Sequence, residues 1–328
     1  MLEDVLAIPD HLRDALWRVE SARLEPSESA GVLVCGVGGS AIGGDLAAAV
    51  LGERLTRPLA TVRAAALPGW ASAEWAVLCS SYSGGTEETL SCFAAAEELG
   101  ARRIVASTGG ALVDAARAAG DPVIGLPGLL PAPRTAVAYM TVCAAEVAAR
   151  AGAAPRIAAE LEAAGGFLEQ EKDELQQRAT AIAAQLAGCA PVIYGAGPTV
   201  AAARRWKTQI NENAKLPAFF SELPEADHNE ICGWAGAGDG APALAAVLLE
   251  ASDRDPGDDR RFELTAAAIE AGGAPAVRVR SAGSTPSEQV LWAVMLGDLV
   301  SLALADALGV DPLPIEAIDT FKASLRRS

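Results

Sequence analysis

The first 150 residues alternate between short apolar runs and alanine-rich stretches. The runs are GVLVCG at 31–36, WAVLCSSYS at 75–83, RRIVAST at 102–108 and DPVIGLP at 121–127. Runs this short, rich in branched residues and closed by Gly, Ser or Pro, predict buried strands, and the intervening stretches predict helices. The alternation is the rhythm of βαβ units around a parallel sheet. Before it, residues 10–24 bring Leu12, Leu16 and Val19 onto one face, an amphipathic helix that packs on the core. Helical patterning resumes from about 156 to 187, interrupted by Gly165 and Gly166, and reads as a connecting pair of helices acting as a spacer.

A second cycle opens at 191 with PVIYGAGPTVAAARRW, again strand, glycine turn and helix. PALAAVLLEAS, a polar turn DRDPGDDRR, a helix, the strand PAVRVRS and an apolar helix over about 288–306 follow. The glycine turns at Gly36 and Gly195 lie half a chain apart, which predicts two copies of one layer fold. The expected fold class is α/β, with two doubly wound domains, each a mainly parallel sheet flanked by helices. Their expected bounds are 1–150 and 189–328, joined by a helical connector over 151–188.

Composition narrows the ligand. With 328 residues and 51% hydrophobic content the chain can bury two cores, and its formal net charge of −16 repels a nucleic-acid backbone. Neither nucleic acid nor a membrane is an expected partner: the apolar stretch VLWAVMLGDLVSLALADALGV carries Asp298 and Asp306, and MLEDVLAIPDHLRDALW lacks a basic region followed by an apolar core. Six scattered cysteines without CxxC spacing predict buried free thiols and a cytoplasmic setting, and two histidines with no cysteine–histidine cluster leave too few ligands for a transition metal.

The turn VLVCGVGGSAIGGD at 32–45 empties a strand into glycines ahead of a helix, which makes an anion site from backbone N–H groups. Gly36-x-Gly38-x-x-Ala41 meets a loose dinucleotide fingerprint. That fingerprint also wants an acidic residue at the end of the next strand, and ATVRAA supplies none. The exit of the following strand, LCSSYSGGTEET, offers Ser80, Ser81, Ser83 and Thr86 around Gly84 and Gly85, a neutral cradle for a phosphate monoester. A serine-rich turn with an N-cap is the structural alternative. Two adjacent strands ending in anion turns favour the phosphate. In the second half Glu212 stands near the end of a helix between Asn211 and Asn213, and His228 follows in the acidic, proline-bounded loop LPEADHNE.

CGVGGSAIGGD, SSYSGGTEET, PAPRTA, NENAK, FSELPEADHNEICGW and GVDPLPIEAIDTFKASL together resemble the bifunctional phosphoglucose/phosphomannose isomerase family, built from two sugar isomerase (SIS) domains. The resemblance spans nearly the whole chain. It implies an isomerase that interconverts fructose 6-phosphate with glucose 6-phosphate, mannose 6-phosphate or both through an enediolate, without metal or other cofactor. By similarity Gly38, Gly39 and Ser40 line the sugar site, and Ser81, Ser83 and Thr86 hold the phosphate. Glu212 is the base, Arg134 stabilises the enediolate, His228 from the partner subunit assists ring opening, and Lys322 approaches the ring oxygen or a hydroxyl. A homodimer is implied in the same way. Gly85 replaces an Asn common in relatives, and Leu313 stands where a small polar residue is expected, so epimer preference stays open. The alternatives are an SIS isomerase of another phosphosugar and a non-catalytic phosphosugar sensor.

Overall fold

A computed structural model of the chain describes residues 1–236, 243–253 and 256–325. The first half runs α1 (Leu2–Leu6), α2 (Ile8–Ser21), β1 (Val32–Cys35), α3 (Ile42–Leu51), β2 (Leu59–Val62), β3 (Ala76–Ser80), α4 (Glu87–Glu98), β4 (Arg102–Ser107), α5 (Gly110–Ala119), β5 (Val123–Gly125) and α6 (Val137–Arg150). The long helix α7 (Ala158–Gln185) leads to β6 (Ala190–Ala196), α8 (Thr199–Gln209), β7 (Phe219–Leu223), α9 (Glu230–Gly236), β8 (Leu244–Glu250), α10 (Pro256–Ala271), β9 (Ala276–Arg280), α11 (Pro286–Leu308) and α12 (Glu316–Leu325).

Both sheets are parallel, ordered β2-β1-β3-β4-β5 and β7-β6-β8-β9. In each, the first strand of the repeat is flanked by the next two. Successive crossovers therefore leave in opposite directions and open a crevice beyond the strand carboxyl ends, between β1 and β3 and between β6 and β8. Strands covered on both faces read as continuous apolar runs. Val32 and Val34 point to the inner face, Leu33 and Cys35 to the outer one, and all four are buried.

The inner faces of both sheets share one core, which takes in α2, α3, α6, α7, α8 and α11. The outer faces are covered separately, the first by α4 and α5, the second by α10. Large side chains such as Trp206 and Trp292 are fully buried in the shared inner core, each such apolar side chain contributing roughly 1.5–3 kcal/mol. α11 is long and apolar enough to cross a membrane by length and composition, but most of its apolar surface is buried against α7, α8 and α3. Asp298 on it is paired with Arg205 of α8.

Two expectations are corrected. Residues 158–185 form one uninterrupted helix of 28 residues, not a pair, and it packs along α11 and α2 inside the shared core, not as a spacer. Gly165 does not break the helix. A Cβ there would sit 3.3 Å from the Pro9 carbonyl oxygen, so glycine lets α7 approach α2 closely. The second sheet also has an edge strand, β7, in FFSEL, for which the sequence makes no prediction; only Leu223 of its five residues is buried. Of the expected turn DRDPGDDRR, residues 254 and 255 lie outside the described residues, and from Pro256 the chain is already helical.

Candidate active site

The first wall of the site is the β1–β3 crevice. After β1 the chain makes a tight turn over Gly38–Ser40, with Gly38 at φ +56°, a conformation glycine adopts without a steric penalty. A Cβ on Gly36 would lie 2.7 Å from the Ser80 carbonyl oxygen, so the two strand exits touch only because residue 36 is glycine. Ser40 Oγ, buried, accepts the backbone N–H of Tyr82 at 3.1 Å and ties the two turns together.

In the second turn Ser81 Oγ and Thr86 Oγ1 lie 2.9 Å apart, and Ser81 Oγ also accepts the N–H of Gly84 at 3.1 Å. Thr86 is the N-cap residue of α4, yet its hydroxyl turns to Ser81 and does not cap its own helix. Ser83 and Gly85 are exposed at the rim, and a Cβ on Gly85 would meet nothing within 4 Å. The turn thus presents hydroxyls and a helix N-terminus to open space, a geometry suited to an anion.

The second wall is Arg134, in the single turn Pro133–Ala136 ahead of α6. A Cβ on Gly39 would stand 3.0 Å from the Arg134 Cα and 3.1 Å from its N, so the glycine turn rests directly on the arginine backbone. The guanidinium is buried. Nε donates to Asn213 Oδ1 at 2.7 Å, and Nη2 donates to the carbonyls of Pro312 at 2.7 Å and Leu313 at 3.0 Å. Those bonds saturate one edge of the fork. The remaining Nη1 faces the Glu212 carboxylate, 3.4 Å from Oε2, a loose contact in which neither group is fully committed. Burial pulls the Arg134 guanidinium below its usual value, and the Glu212 carboxylate partly restores it.

Glu212 comes from the second half. α8 does not end cleanly; at Ile210–Ala214 it widens into one turn of π-helix, and the chain then leaves through Lys215 in the left-handed conformation at φ +55°. Such widened turns are frequent at functional sites because they rotate one side chain out of the helical register. Here neighbours on one turn point opposite ways, Asn213 into the core and Glu212, 24% exposed, towards the groove. Lys215, which the sequence does not single out, donates to the Glu212 carbonyl at 2.6 Å and the Pro312 carbonyl at 3.2 Å. Its ammonium is shifted down, first by desolvation and then by Arg134. A groove of about 550 Å³ borders Glu212, Lys215 and Ile315.

The structure therefore joins Gly39, Ser40, Ser81, Thr86, Arg134 and Glu212 through a continuous series of contacts within one chain. His228 and Lys322 stand apart from it. His228 ends the turn Glu225–His228 beyond β7, and Lys322 lies on α12; both are exposed, and neither side chain makes a hydrogen bond or ion pair among the described residues. The segment around His228 is anchored to α10, where Asp227 accepts from Arg261 and Thr265. Among the described residues no group of three or more His, Cys, Asp or Glu converges as a metal site would require. A further cavity of about 1100 Å³ lies between α3 and the start of α8, beyond the carboxyl ends of β6 and β8. Its two arginines are already paired, Arg54 with Glu160 and Arg204 with Asp45, which leaves it poorly suited to a phosphate.

Two parallel sheets with hydroxyl-rich turns at the switch point of the first define an SIS-type α/β protein. The tagatose-6-phosphate ketose/aldose isomerase of Escherichia coli has the same fold, with a TM-score of 0.66 at 15% identity over 94% of this chain and 93% of that one. Residues 175–325 match the bacterial phospho-glucose isomerase C-terminal SIS domain. The bifunctional phosphoglucose/phosphomannose isomerase of Aquifex aeolicus is 33% identical over 90% of this chain and 91% of its own length. That of Caldicellulosiruptor bescii is 31% identical over 99% and 98%. The chain belongs to the bifunctional phosphoglucose/phosphomannose isomerase family.

Proposed function

We propose that the chain is an aldose–ketose isomerase that interconverts fructose 6-phosphate with glucose 6-phosphate, mannose 6-phosphate or both, through an enediolate and with no metal or redox cofactor. Family membership supports the reaction class. The observation that carries the reading is the meeting of Glu212 and Arg134 Nη1 at 3.4 Å, beside turns that lead directly to Ser81 and Thr86.

The phosphate sits on Ser81, Ser83, Thr86 and the start of α4, and Gly38, Gly39 and Ser40 line the sugar. That placement brings the reactive end of the sugar towards Arg134. Isomerisation removes a weakly acidic proton beside a carbonyl, and a carboxylate acting as general base supplies roughly 10²–10⁴-fold. Glu212 is that base: it takes the proton from one carbon and returns it to the next. Arg134 directs Nη1 at the oxygen that becomes negative, so its interaction strengthens along the reaction path.

His228, whose imidazole can both give and take a proton, opens the ring, and Lys322 approaches the ring oxygen. Their exposure, without a hydrogen bond or ion pair among the described residues, supports a homodimer in which the partner subunit supplies the histidine. Phe321 and Leu325 on α12 are exposed apolar surface that a second copy would cover. Two SIS domains over 1–150 and 189–328 with a connector over 151–188, and a cytoplasmic setting in which all six cysteines stay free, complete the proposal.

The test is fructose 6-phosphate in deuterated buffer with EDTA. The expected products are glucose 6-phosphate, mannose 6-phosphate or both, carrying deuterium at C2. Glu212→Gln should retain phosphosugar binding and lose exchange; near-normal exchange in that variant refutes the assignment of the base.

A further inference from the structure

Arg134 is useful to the reaction proposed above only if Nη1, and not another edge of the fork, faces the sugar. The group that determines this is on the same turn as the base. Asn213 Oδ1 accepts Arg134 Nε at 2.7 Å, and Asn213 Nδ2 donates to Ser301 Oγ at 2.9 Å. The Ser301 hydroxyl in turn donates to the Asp298 carbonyl at 2.6 Å. With its one proton spent on that carbonyl, Ser301 can only accept from Asn213, so the amide must present its NH2 to Ser301 and its oxygen to Arg134.

The same segment of α11 holds the arginine main chain. Asp298 pairs with Arg205 through two bonds, 2.9 Å to Nε and 2.6 Å to Nη2, and Arg205 Nη2 donates to the Arg134 carbonyl at 2.9 Å. Asn213, Ser301, Arg205 and Asp298 are all nearly fully buried, so water does not compete for these bonds.

We propose that Asn213, oriented by Ser301, is a positioning residue that sets the Arg134 guanidinium in register with the Glu212 carboxylate. Because Asn213 and Glu212 are consecutive on the π turn, one turn fixes the base and the direction of its electrostatic partner together. This inference rests on the reading of Glu212 and Arg134 given above.

The experiment measures kcat and KM for fructose 6-phosphate, with urea unfolding in parallel, for Asn213→Ala, Ser301→Ala and the double variant, alongside Glu212→Gln and Arg134→Lys. Asn213→Ala should lower kcat about 10²-fold, the loss associated with a misplacement of about 1 Å, with KM within twofold. Ser301→Ala should lower kcat by about tenfold, since the amide remains but keeps only Gln209 Oε1, at 3.1 Å, as acceptor for its NH2. The double variant should be no slower than Asn213→Ala alone, because Ser301 acts only through Asn213. A purely structural role would shift the unfolding midpoint and leave kcat per folded molecule unchanged.

Unchanged kcat in a folded Ser301→Ala or Asn213→Ala protein, or additive losses in kcat, overturns the inference while slow Glu212→Gln and Arg134→Lys leave the site reading standing. Ser301→Ala alone decides the matter if Asn213→Ala does not fold. Full turnover in Glu212→Gln or Arg134→Lys instead overturns the site reading, whatever the asparagine variant does.

Discussion

Gly297→Ala separates two effects of opposite sign. Gly297 lies inside α11, where replacing glycine by alanine ordinarily stabilises a helix by about 1 kcal/mol. Its missing side chain faces Trp206 of α8: a Cβ there would stand 2.1 Å from Nε1 and 2.2 Å from Cδ1. Those distances fall short of ordinary contact by about 1.3 Å. The indole cannot swing away freely, being fully buried and donating to the Ala293 carbonyl at 2.7 Å. Overpacking costs about 1–3 kcal/mol and a strained or lost buried hydrogen bond about 1–3 kcal/mol, so the variant should be destabilised by about 1–5 kcal/mol after the propensity gain. The assay is urea unfolding followed by circular dichroism. kcat should fall as well, because α8 continues from Trp206 into the turn that carries Glu212. A midpoint equal to or above that of the parent would mean that helix propensity wins and that the α8–α11 contact is not the rigid seat described here.

Ser81→Ala combined with Thr86→Ala should raise KM for fructose 6-phosphate tenfold or more, each lost charge-assisted bond being worth roughly 1.5–3 kcal/mol, with kcat much less affected; an unchanged KM places the phosphate elsewhere. Thiol alkylation of the folded protein should modify exposed Cys232 first and spare Cys35, Cys79, Cys92 and Cys143, as read by peptide mass spectrometry before and after urea. Burial pushes the Cys143 thiol up to about 12, which leaves almost no thiolate at neutral pH, and rapid labelling there would contradict its place in the core. Prolonged dialysis against EDTA should leave isomerase turnover unchanged, and recovery of lost activity by added divalent metal would refute the metal-independent reading.

Glycines and hydroxyls made the first wall of the site legible, because their roles there are local. Gly38 needs its positive φ, Gly36 its missing side chain against Ser80, and the SSYSGGT turn shows its donors in the residue types themselves. The second wall was only half legible. NEN drew attention to Glu212, but a π turn is one extra residue in a helix and leaves no compositional signature. The acceptors that fix the Nη2 of Arg134 are the carbonyls of Pro312 and Leu313, which any residue could supply, so DPLP gives no hint of them. Lys215 was overlooked because a lysine on a helix end reads as solvated, whereas its left-handed backbone turns the ammonium back onto the Glu212 carbonyl. The glycine pair in α7 misled for a related reason: glycine can mark a break or a close approach, and only the position of Pro9, about 150 residues away in sequence, tells the two apart.

The two sheets repeat one topology, but the molecule uses the copies unequally, and Thr199 shows how. At the first switch point Ser81 and Thr86 keep their hydroxyls at the mouth of the crevice. At the second, Thr199 is buried, and its hydroxyl is spent inside the protein: it accepts the N–H of Ala196 at 2.9 Å at the end of β6 and donates to the Leu249 carbonyl at 2.7 Å in β8. The first copy makes the corresponding tie with Ser40, whose Oγ accepts the Tyr82 N–H, and leaves Ser83 exposed at its rim. In the proposed reaction the base must reach the end of the sugar opposite its phosphate. The helix that follows, α8, runs past the second sheet, widens into the π turn and brings Glu212 to the arginine of the first half. In the proposed reaction the two copies thus divide the work, the first binding the anion and the second supplying the base, and the core shared between the sheets keeps the two in register.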